Sequence, residues 1–101
     1  MAQVLALYNT PADPSAFDRY YQQTHIPIAK KIPWLRTYTV STGTVQALVG
    51  TAPYLVATLQ FDSMADLNAA LASPEGQAAA ADVQNFASGG VTLLICDSKA
   101  A

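Results

Sequence analysis

Apolar residues fall into four short runs and two stretches of helical spacing. Val4 to Tyr8 is an apolar run that ends in Asn9-Thr10-Pro11-Ala12-Asp13-Pro14, which predicts a strand leaving into a proline-rich loop. From Ser15 to Thr24 the spacing turns helical: Phe17, Tyr21, Thr24 and Ile28 lie three or four residues apart, with Asp13 or Ser15 as the N-cap. Pro27 should kink or end this helix near His25-Ile26 and can start a second short one. Leu35 to Thr44, rich in Thr, Val and Tyr, predicts a second strand. Gly43 to Pro53 predicts a loop with Val45, Leu48 and Val49 at its tip, and Pro53 to Asp62 a third strand. Ser63 caps a helix from Met64 to Leu71, with Asp66 acting like a capping-box acid. Ser73-Pro74-Glu75 is a second start signal for a helix running through Ala78-Ala81 toward Phe86. Gly89-Gly90 ends it, and Val91 to Cys96 predicts the fourth strand.

The order β-α-β-β-α-β is satisfied by a four-stranded antiparallel sheet with both helices on one face, an α+β domain spanning 1–101. Alternation sets Val4, Ala6 and Tyr8 against Leu5 and Leu7. It sets Leu55, Ala57, Leu59 and Phe61 against Tyr54, Val56 and Thr58, and Val91, Leu93 and Ile95 against Thr92, Leu94 and Cys96. Three strands are thus apolar on both sides, yet two helices cover one face. The other face predicts a homodimer packed sheet on sheet, since soluble monomers rarely expose so large an apolar patch. Composition agrees: 51% of residues are hydrophobic and only 12% charged, about half the ordinary charged share.

The net charge is −2, and the five cations form no run longer than two. Nucleic acid and anionic membrane surfaces are therefore not expected partners. No apolar segment approaches the roughly 20 residues that span a bilayer, and no signal peptide is evident, so a cytoplasmic location is expected. A lone cysteine excludes an internal disulfide, and its place in an apolar run predicts that Cys96 is buried.

Several stretches together resemble the EthD family. They are Phe17-Asp18-Arg19-Tyr20-Tyr21, His25-Ile26-Pro27-Ile28-Ala29, Ile32-Pro33-Trp34-Leu35, Phe61-Asp62-Ser63-Met64, Ser73-Pro74-Glu75-Gly76-Gln77, and Asp82 to Phe86. The resemblance runs from about Val4 to Asp97. It implies a ferredoxin-like sandwich that dimerises into an α/β barrel, and a small hydrophobic ligand. Similar folds include muconolactone-type isomerases, cofactor-free polyketide oxygenases and haem-binding peroxidase-like proteins. One departure stands out: Trp34 occupies a position where the family usually has glycine.

His25 is the only imidazole, the side-chain type whose unperturbed pKa lies nearest neutrality, and Tyr21 lies four residues before it. Together they could shuttle a proton on a small substrate; the alternative is a histidine that only bonds locally and holds the kink. The family motif favours the first. Tyr38 is the third candidate for catalysis; Trp34, Tyr54 and Phe86 are candidate substrate-binding walls, or else ordinary packing. Asp82 either orients His25 or caps a neighbouring group, or else is a solvated surface acid. One His and one Cys cannot make a closed zinc site, and no phosphate-cradling glycine motif is present, so neither metal nor cofactor is expected. What remains is proton transfer, isomerisation or oxygenation of an activated substrate, or a non-catalytic carrier using the same pocket.

Overall fold

A computed structural model describes residues 1–101, and in it the strands β1 (Ala2–Tyr8), β2 (Thr37–Val40), β3 (Leu55–Phe61) and β4 (Val91–Asp97) form one sheet. Its order is β2-β3-β1-β4 with every neighbour antiparallel. The helical layer comprises α1 (Pro14–Tyr20), a π segment (Tyr21–His25) and α2 (Ile26–Ala29), followed later by α3 (Met64–Ala72), α4 (Pro74–Asp82) and a 3₁₀ turn (Val83–Asn85). The order expected from the sequence is the one observed.

The caps explain the helix starts. The Asp13 carboxylate accepts from the Ala16 N–H at 3.2 Å, and Pro14 opens α1. Ser63 accepts from the Asp66 N–H at 3.1 Å. Ser73 ends α3 and starts α4: its hydroxyl donates to the Ala70 carbonyl at 2.5 Å and accepts from the Gly76 N–H at 3.0 Å. One residue thus turns the chain between two helices and leaves α4 pressed against the end of α3.

β2 is shorter than the stretch Leu35–Thr44 because its partner is short. Val40 lies opposite Ala57, and β3 starts only two residues beyond, at Leu55. The residues past Ser41 therefore have no ladder to join.

The helices pack on Ala2, Ala6 and Tyr8 of β1 and on Ala57 and Phe61 of β3, all buried. They do not reach across β4. Leu93 and Ile95, on the helix side, are each 50% exposed, and Leu94 on the other side is 45% exposed. The apolar surface therefore lies on both sides of the edge strand as well as on the open face around Leu5, Leu7 and Val56. Cys96 is exposed, not buried as its apolar neighbourhood suggests, because no layer covers this edge. No helix is long and apolar enough to cross a membrane.

Candidate functional site

Pro27 has no N–H to give to the carbonyl four residues back, and the helix answers by widening. The Ile26 N–H donates to the Tyr21 carbonyl, five residues earlier, which makes Tyr21–His25 a π segment running between α1 and α2 without a break. Such segments are frequent at functional sites because they re-aim side chains. Here both ends of the widened turn face inward: Tyr21 is 2% and His25 5% exposed, with their rings 5.2 Å apart.

His25 is held from the other side of the helical layer. Its Nδ1 lies 2.9 Å from Asp82 Oδ2 at the end of α4. The other carboxylate oxygen, Oδ1, accepts from the Tyr20 hydroxyl at 2.6 Å and from Asn85 Nδ2 at 3.0 Å. Burial pushes the Asp82 carboxyl up, but the hydrogen bonds from Tyr20, His25 and Asn85 outweigh it and hold Asp82 below the ordinary carboxylate range. Asp82 is therefore an anion that can only accept, so Nδ1 must carry the proton. In the neutral ring the lone pair then sits on Nε2, which has no protein partner. Phe86 packs on the imidazole at 4.6 Å between ring centres and fixes its plane.

His25 lines a half-open cavity of about 80 Å³ between sheet and helices. Apart from the imidazole and Gly76, its lining is aliphatic side chains and three tyrosines: Tyr8, Tyr21 and Tyr38. The Tyr21 and Tyr38 hydroxyls are 2.6 Å apart. Burial raises all three phenols above the usual tyrosine value, and for Tyr38 the hydrogen bond from Tyr21 opposes part of the rise.

The structure thus brings His25, Tyr21 and Tyr38 together, with Phe86 behind the imidazole. It places Tyr54 elsewhere, in an open groove of about 700 Å³, where its hydroxyl donates to Asp18 at 2.8 Å. Tyr21 alone lines both hollows. Trp34 lines neither. It takes the left-handed conformation, φ 62°, that glycine adopts without cost, and is 53% exposed. The glycine usual in the family at this position is explained by that backbone angle; nothing in the structure explains the tryptophan. Tyr8, Tyr20 and Asn85 were not singled out by the sequence. Tyr8 shares the inward face of β1 with Val4 and Ala6, which could have flagged it. Tyr20 and Asn85 lie inside two of the stretches that carry the family resemblance, which was the only signal for them.

The phenols give the fold a pH limit. Unfolded tyrosines ionise near 10, whereas buried Tyr8 and Tyr21 stay protonated well above that. The folded chain then holds more protons than the unfolded one, so stability is intact below pH 10 and falls as pH rises beyond it. Urea midpoints should drop between pH 9 and about pH 11.5, with phenolate absorbance rising in step with unfolding; an unchanged midpoint contradicts the burial of these hydroxyls.

Comparison with known proteins agrees with the geometry. The EthD domain profile matches residues 9–90. The chain belongs to the EthD family. Among curated proteins, this EthD chain is 48% identical over 101 residues to an uncharacterised 11.0 kDa protein from the thcB-thcC intergenic region of Rhodococcus erythropolis, covering 98% of this chain and 96% of that one. An EthD family crystal structure from Bacillus halodurans superposes with a TM-score of 0.88 at 33% identity, covering 98% of this chain and 99% of the other. The fold, at 12% identity and TM-score 0.67, is also that of SnoaB, a cofactor-independent oxygenase from Streptomyces nogalater, with 99% and 94% of the two chains covered. Other structures of the same ferredoxin-like fold, at 14–16% identity, are described as dimeric.

Proposed function

We propose that this EthD protein is a cofactor-independent enzyme that moves a proton on a small, mostly apolar molecule, and that it works as a homodimer. The observation that carries the chemistry is the buried His25–Asp82 pair. It fixes the proton on Nδ1 and leaves the Nε2 lone pair free on a ring that lines a largely apolar cavity, the arrangement a general base requires. Tyr21 and Tyr38, whose hydroxyls are hydrogen-bonded to each other, line the same cavity and orient the substrate's polar group. Tyr54 and Trp34 stand outside this cavity and Phe86 lies behind the imidazole without lining it, so direct contact of these three with substrate is dropped from the proposal.

A thermal-shift series with small ketones, lactones and aromatic compounds tests the cavity, because a ligand that binds the folded state raises its melting temperature. Turnover, read as solvent-deuterium incorporation, should be present in the wild type and absent in His25→Ala, with ligand binding retained. Equal binding and no turnover in either protein makes the chain a carrier.

The dimer rests on exposed Leu93, Leu94 and Ile95 along an edge strand, together with Leu5, Leu7 and Val56 on the open face. An uncovered apolar edge invites a partner. At micromolar concentration the protein should sediment at twice the 10.6 kDa of one chain, and Leu94→Lys should shift it toward the single-chain mass. A stable single chain in the wild type overturns the dimer.

A further inference from the structure

We infer that the hydroxyls of Tyr8, Tyr21 and Tyr38 form an oxygen-binding cluster on the wall of the His25 cavity, and that its ligand class is a small enolisable carbonyl compound. The inference rests on the proton-transfer reading above and names its substrate.

The proton count leads there. Tyr21 and Tyr38 share one hydrogen bond, 2.6 Å long, and the Tyr8 hydroxyl adjoins Tyr21. That bond uses one of the three hydroxyl protons. The other two have no acceptor within the chain, so they are left to donate to whatever enters the cavity that all three side chains line. Burial keeps the phenols protonated at neutral pH, so the cluster is a donor and not a second base. The remaining lining is hydrocarbon, His25 and Gly76, so a ligand finds one place for an oxygen acceptor and one base. A donor cluster in a largely dry wall is a site for charge that develops on oxygen. With about 80 Å³ the cavity encloses only the reacting carbonyl end of a molecule, the rest of which leaves through the open side. An apolar cavity of about 150 Å³ holds one benzene ring.

The step balances without a co-reactant. Nε2 of His25 takes a proton from the carbon beside the carbonyl. The C–H electron pair becomes the C=C bond of the enolate, and the C=O pair moves onto oxygen, where the tyrosine hydroxyl donates. The imidazolium then returns a proton to carbon, to the same position or to a conjugated one.

Cyclopentanone and methylenecyclopentane test this, since they share a shape and differ only in the oxygen acceptor. In NMR titrations the wild type should bind the ketone about tenfold more tightly. Replacing Tyr8, Tyr21 and Tyr38 together by Phe should erase that preference, leave methylenecyclopentane binding within twofold, and slow deuterium exchange beside the carbonyl by at least tenfold. Should that variant fail to fold, Tyr38→Phe alone, which leaves fewer hydroxyls in the wall, should cut the preference at least threefold. Equal wild-type affinities for the two probes, or a preference that survives in the variants, overturn the inference while leaving the cavity reading intact. Binding of neither probe overturns both.

Discussion

Asp82→Asn should remove proton-transfer activity almost as completely as loss of His25, about a thousandfold or more, while the protein stays folded. The asparagine oxygen can still accept from Tyr20 and Asn85, which hold Oδ1 of the native carboxylate. Its amide nitrogen, however, then faces His25 Nδ1, where the carboxylate oxygen now lies at 2.9 Å. A donor at that point requires Nδ1 to accept, so the imidazole proton moves to Nε2 and the base facing the cavity disappears. Asp82 is in this sense a positioning residue. Its signature is loss of turnover with the ligand affinity kept and the melting temperature changed little. Asp82→Ala should behave differently: it leaves the imidazole N–H and the Tyr20 hydroxyl without their acceptor, and should also cost about 2 kcal/mol of stability. If Asp82→Asn retains wild-type exchange rates, the tautomer is not set by this pair and the mechanism fails.

Gly76→Ala should be among the most destabilising single-methyl additions in the chain. A Cβ built on Gly76 would lie 2.0 Å from the Ala70 carbonyl oxygen and 2.9 Å from the Leu71 Cα. Both obstacles are backbone of α3, fixed by the helix and by the Ser73 turn, so neither can swing aside. Relief requires α4 to move away from α3. That opens the packing around Leu67, Ala70 and Ala79 and drags Asp82 off His25, since α4 carries it. Overpacking of this severity costs about 3 kcal/mol or more, which for a domain of this size lowers the melting temperature by more than about 10 °C. Deuterium-exchange activity measured well below the melting point should also fall. A variant that melts within a few degrees of wild type shows that the two helices are not locked at this contact.

The strands, helices and their order were legible because each local signal agreed with its neighbours. Apolar alternation marked β1, β3 and β4, Ser63 and Ser73 marked two helix starts, and Pro27 marked the interruption beside His25. Where the reading missed, a distant partner was at fault. Cys96 read as buried, yet it lies on the edge strand that the helices fail to cover and is exposed. Leu35–Thr44 read as one long strand, yet only Thr37–Val40 finds a partner. Pro27 foretold a disturbance but not its kind, because whether a helix breaks, kinks or widens depends on what packs against the turn.

By itself, the sequence determined the elements, their order, the apolar sides of the sheet and the single imidazole, since these follow from residue type and short-range spacing. Tertiary structure decided which groups meet that imidazole. Asp82 lies 57 positions along the chain from His25, and Tyr38 lies 17 from Tyr21; no local periodicity links either pair. Only the packing of α4 against the π segment, and of β2 beside the same cavity, brings them within hydrogen-bond reach. It also separates Tyr54 and Trp34 from the place where residue type alone would have put them.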